Sequence, residues 1–101
     1  MYLLVVLSGK QRRHLRGLGH HLDAVVQVGK DGLDEGVVGA LDAALEQHEL
    51  IKVRLLESVG ADRHGVSEAL AEASTSELVQ VLGRTLLLYR ARKKDPKIVL
   101  P

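Results

Sequence analysis

Gly29-Lys30-Asp31-Gly32 is the stretch whose residue types and spacing best suit ligand chemistry. Two glycines three apart let a backbone turn sharply and approach a ligand closely. Lys30 adds a point charge suited to phosphate. A helix starting after the loop would offer free N–H groups and a positive dipole end to an anion. The stretch is not a P-loop, because the Gly-Lys-Ser/Thr ending is missing, and no Gly-x-Gly opens a dinucleotide fingerprint. The same spacing also suits a plain turn with no ligand. Asp31 inside the loop, with Asp34 and Glu35 just after it, sets negative charge against any anion held there.

A second cluster precedes the loop. Lys10, Arg12, Arg13 and Arg16 crowd one short segment. If that segment lies beside the loop, the two form one cationic surface; otherwise the charges are a solvated face. The five histidines, His14, His20, His21, His48 and His64, show no H-x-x-x-H or H-E-x-x-H spacing, and there is no cysteine. No nucleophile–base set is legible, and Ser8, Ser58, Ser67, Ser74 and Ser76 fall at caps or loops. No catalytic residue, metal or cofactor is expected.

The chain of 101 residues carries a net charge of +1, enough for one domain. Absent cysteines exclude disulfide frameworks and thiol catalysis. There is no Phe or Trp, only Tyr2 and Tyr89, so base stacking on aromatic rings has little to use. The near-neutral total hides a pattern: +4 over residues 1–30, −8 over 31–80 and +5 over 81–101. Two basic ends around an acidic middle point to an anionic partner, and the ends can share a face in the fold. The apolar run 2–7 is too short for a bilayer span and has no signal-peptide flanks. A soluble cytoplasmic protein is the expectation, with 1–7 an extension before a domain at 8–101.

These segments need elements to hold them. Ser8 predicts an N-cap for a helix over about 9–21, with Leu15, Leu18 and Leu22 inward and Lys10, Arg13, Arg16 and His20 outward. Residues 24–28 read as a buried strand. A second helix is expected over about 33–48, with Leu33, Val37, Leu41, Ala44, Leu45 and His48 inward. Residues 50–56 alternate, with Ile51, Val53 and Leu55 on one face and Lys52 and Arg54 on the other. A third helix over about 67–74, capped by Ser67, precedes strands at 77–82 and 85–90, joined by a Gly83-Arg84 turn of type II′. The order α-β-α-β-α-β-β predicts a single α/β domain, a mixed four-stranded sheet packed with helices.

GKDG resembles the GXXG loop with which KH-type domains clamp a nucleotide backbone. Longer likenesses accompany it. Residues 8–18, SGKQRRHLRGL, resemble the opening helix of the CRM domain, the chloroplast RNA splicing and ribosome maturation family. Residues 25–38, VVQVGKDGLDEGVV, resemble its strand, GXXG loop and helix start. Residues 44–56, 78–90 and 97–101 resemble its later blocks. The short single-domain form is similar to the bacterial YhbY-like proteins. The resemblance implies a fold similar to the C-terminal domain of translation initiation factor three. It implies a non-enzymatic RNA-binding protein of ribosome assembly, acting on large-subunit precursor rRNA; a monomer is the expectation. Carried over by position, the RNA contacts are Gly29, Lys30, Asp31 and Gly32, with Lys10, Arg12, Arg13 and Arg16. The alternative is a protein-interaction module docking on ribosomal or other proteins through its acidic middle.

Overall fold

Ser8 starts the first helix through local chemistry. Its hydroxyl accepts from the Gln11 N–H at 3.1 Å, and the Gln11 side-chain oxygen accepts from the Ser8 N–H at 3.0 Å. This reciprocal cap satisfies donors that would otherwise be orphaned. The computed structural model describes residues 6–30 and 32–101; most of the expected extension (1–5) and Asp31 lie outside the described residues. Helix α1 spans Gly9–Gly19, β1 Ala24–Val28, α2 Glu35–His48 and β2 Leu50–Leu55. A 3₁₀ turn at Glu57–Val59 leads to α3, Arg63–Ala73, then β3, Glu77–Leu82, and β4, Thr85–Tyr89.

The strands form one mixed sheet in the order β1-β2-β4-β3. β1 and β2 are parallel, and β4 runs antiparallel to both β2 and β3. Element order and sheet type are those expected from the sequence. Gly83 has φ +60°, as a hairpin turn led by glycine requires.

Alternation along the strands builds two cores. Val26, Val28, Ile51, Val53, Leu55, Leu86 and Leu88 pack against Leu41 and Leu45 of α2 and Leu70 and Ala71 of α3. On the other face Leu50, Val79, Leu87 and Tyr89 pack against Leu7 and Leu15, joined by Ile98 and Leu100 of the C-terminal tail. β4 is therefore apolar on both faces, as a central covered strand must be. Gln11 Nε2 donates to the Pro101 carbonyl at 3.1 Å, so the start of α1 and the last residue of the chain meet on this second face.

Several expectations need correction. Leu7, assigned to the extension, is buried in the second core. Of the proposed inner stripe of α1 only Leu15 is buried; Leu18 is exposed because Gly19, not Leu18, faces the sheet at the end of the helix, and Leu22 lies past that end. α2 begins at Glu35, with Asp34 rather than Leu33 at its boundary, and Leu33 is exposed. His48 is exposed, not inward. α3 starts four residues early, capped by Asp62, which accepts from the Gly65 N–H at 3.2 Å. Ser67 is buried inside that helix and donates to the Arg63 carbonyl at 2.6 Å.

Candidate nucleic-acid interface

The helices on the two faces of the sheet differ in charge. α1 carries Lys10, Arg12, Arg13 and Arg16 and no acid. On the opposite face α2 carries Glu35, Asp42 and Glu46 behind its Asp34 cap. α3 there carries Glu68 and Glu72 behind Asp62, against a single Arg63. Acidic residues near helix starts are favourable in their own right.

α1 covers only part of its side of the sheet. Gly19 lets it sit close, since a Cβ there would come within 2.7 Å of the Leu87 side chain. Beyond the helix, strand pairing lays out two rows. Gln80, Leu87 and Lys52 form one, and Leu82, Thr85, Arg54 and Gln27 form the next. Neighbours in a row are about 4.8 Å apart along the hydrogen-bonding direction. The ladder is irregular between Leu78 and Gln80, so Val79 packs under α1 while Gln80 lines the open surface on the same side. Between helix and sheet runs a cleft of about 470 Å³, lined by Arg16, Gly17, His20, Lys52, Gln80 and Thr85 among others.

The GKDG loop lies where β1 ends. The Gly32 N–H donates to the Gly29 carbonyl at 2.9 Å, and Gly32 has φ +58°, a conformation that favours glycine. The Leu56 N–H donates to the Val28 carbonyl at 2.8 Å, and the Leu55 N–H to the Arg84 carbonyl at 2.7 Å. Arg84 Nη1 donates in turn to the Leu56 carbonyl at 3.1 Å. Loop, β2 end and β3–β4 turn thus meet at one end of the sheet. Exposed Lys30 stands there, and β2 runs back past Arg54 to Lys52 in the cleft. The expected helix-start anion site is already filled: Asp34 Oδ1 accepts from the Val37 N–H at 2.8 Å.

The nominated residues therefore divide. Arg16 lines the cleft. Lys10, Arg13 and Lys30 are exposed. Gly29 and Gly32 close the turn, and Asp31 lies outside the described residues. Arg12 is half-buried and donates through Nη1 to the Leu78 carbonyl at 2.8 Å, tying α1 to β3. Its guanidinium is spent at least partly on structure. Site residues not nominated from the sequence are His20, Lys52, Arg54, Gln80, Arg84 and Thr85. The alternation of Lys52 and Arg54 was the available signal; the turn and β3 residues needed the strand register.

The basic tail is held at the opposite end of β2. Buried Glu49 accepts from the N–H groups of Arg92, Lys97 and Ile98 at 2.9, 2.6 and 3.1 Å. Burial would raise this carboxyl's pKa; the three backbone donors and the Arg92 charge outweigh it and hold it below the usual carboxylate value. Burial, and then the Glu49 charge, raise the neighbouring Tyr89 phenol. Among the described residues no group of three or more His, Asp or Glu is placed to hold a metal ion, and no helix is long and apolar enough to cross a membrane.

Comparison with known proteins fits this geometry. The family model for the CRS1 / YhbY (CRM) domain matches residues 7–90. The chain is 44% identical over 96 residues to a Bacillus subtilis protein named "Probable RNA-binding protein YqeI", covering 95% of this chain and all of that one. It is 42% identical to a Haemophilus influenzae protein named "RNA-binding protein", covering 97% and 98% of the two chains. The solution structure of the Staphylococcus aureus protein SAV1595 superposes with a TM-score of 0.81 at 44% identity, over 95% of this chain and all of that one. The half-open basic sheet face, the GXXG turn at its end and a match over most of its length make this chain a member of the CRS1/YhbY (CRM) domain family.

Proposed function

We propose that this chain is a non-enzymatic RNA-binding protein of ribosome assembly, acting as a cytoplasmic monomer on precursor RNA of the large subunit. The observation that carries the reading is the partition of charge between the helices: the cations of α1 and β2 border the uncovered half of the sheet, and the acids of α2 and α3 lie on the other side. Phosphate attraction supplies most non-specific affinity for nucleic acid, and it falls as salt rises. Arg16, Lys52 and Arg54 form the centre of the surface, with Lys30 and the Gly29–Gly32 turn at one end and Lys10 and Arg13 along the helix. The names of the relatives support RNA as the partner. The ribosomal assignment rests on the family resemblance.

Crosslinking in cells by ultraviolet light, with sequencing of the attached RNA, tests the assignment. Crosslinks concentrated in large-subunit precursor RNA support it, and crosslinks spread evenly over messenger RNAs overturn it. The acidic outer surface of α2 and α3 favours a second reading, docking on basic ribosomal proteins. Gradient sedimentation after RNase treatment separates the two: retention in protein complexes without RNA favours docking.

A further inference from the structure

We infer that the cleft between α1 and the sheet is a nucleotide pocket, taking one unpaired nucleotide of a single-stranded RNA. This rests on the RNA-binding reading and adds to it a ligand form and a place. At about 470 Å³ the cleft lies toward the small end of ligand pockets, which run about 300–1,000 Å³. That is room for one nucleotide inside the cleft and too little for a helix.

Its lining is divided by chemistry. Arg16 and Lys52 supply cations for a phosphate, with His20 beside them. Gln80 and Thr85 carry neutral groups that both donate and accept hydrogen bonds. Among the described residues, neither of these two side chains hydrogen-bonds within the protein. Leu82 and Leu87 add apolar wall. A phosphate needs donors alone; an apolar wall beside groups that both donate and accept matches the face and edge of an unstacked base. No Phe, Trp or Tyr lines the cleft, so the base would rest on Leu82 and Leu87, with the His20 ring beside them.

Gly17 offers a test that leaves charge untouched. It lines the cleft, and a Cβ added there meets nothing within 4 Å. Gly17→Leu therefore adds bulk at the cleft wall with open space at its root, and leucine is also the better helix former in α1. Binding of the full chain to a labelled single-stranded oligoribonucleotide, and to the duplex of the same sequence, is followed by fluorescence anisotropy across salt concentrations. The wild type is expected to prefer the single strand. Gly17→Leu is expected to weaken single-strand binding about tenfold or more, the size of one good base contact, with duplex binding and salt slope unchanged. A folded Gly17→Leu protein that binds the single strand like the wild type overturns the pocket. Should that variant not fold by circular dichroism, the Gln80→Ala and Thr85→Val double variant decides by the same comparison. Lys30→Glu, outside the cleft, is expected to weaken both RNA forms and lower the salt slope. Wild-type protein that binds neither form overturns the RNA-binding reading itself.

Discussion

The two faces of the sheet divide the work between them. Toward α2 and α3 the strands present Val26, Val28, Ile51, Val53, Leu55, Leu86 and Leu88, and two helices close over them. Toward α1 the same strands present Leu50, Lys52, Arg54, Gln80, Thr85 and Leu87, and one helix covers part of the surface. The closed face supplies most of the buried apolar area and with it most of the hydrophobic stability. The half-open face gives up burial and gains a cationic surface. A net charge of +1 is compatible with both, because the acids of α2 and α3 lie across the sheet from the cations of α1.

Arg90 is where that division can be broken most severely. It is a cation on the acidic side, buried to 5% exposure. Nη1 donates to Asp42 Oδ1 and to the Ser74 carbonyl, both at 2.8 Å, and Nη2 to Glu46 Oε2 at 3.3 Å. Arg90 thereby joins α2 to the end of α3. Arg90→Ala should cost about 3 kcal/mol, the low end for a broken buried ion pair because its acids are half-exposed. Denaturant unfolding measures that cost, and RNA affinity of the folded fraction should stay unchanged.

Glu49 is the reverse case, an acid buried below the basic tail. Glu49→Gln keeps the size but turns one acceptor into a donor facing N–H groups, at a cost of about 1–3 kcal/mol. The pH dependence has a defined sign. The folded pKa lies below the ordinary value, so the carboxylate's contribution is complete above that value. It is lost as pH falls through the lower folded value. An acid titration of stability should show this loss in the wild type and not in Glu49→Gln. The smallest effect is local to α1: Ser8→Ala removes the cap and should cost about 1 kcal/mol by thermal unfolding.

What could be read from the sequence was whatever is local. Ser8 and Gln11 announce a cap in four residues, and Ile51 to Leu55 announce a half-buried strand. The start of α3 was hidden because Asp62 sits in a glycine-flanked stretch that reads as loop, while Ser67 has a capping side chain but spends it within the helix. His48 keeps the phase of its helix and is nonetheless exposed. The site followed the same rule. Lys30 and Arg16 were visible as basic residues in motifs, but the cleft joins residues 16 and 20 to 52, 80 and 85. That union comes from parallel and antiparallel pairing, which no short window contains. Arg12 looked like its neighbours until the Leu78 carbonyl claimed it.

The comparison between faces is tested most directly by paired charge reversals on them. Lys52→Glu with Arg54→Glu changes the open face, and Glu68→Lys with Glu72→Lys changes the closed one, each read by RNA affinity at two salt concentrations. The first pair should lose about a hundredfold in affinity, with a salt slope lower by about 2. The second should bind as well as the wild type or better. Equal losses from both pairs, or no loss from the first, would contradict the claim that the half-open face of the sheet is the RNA surface.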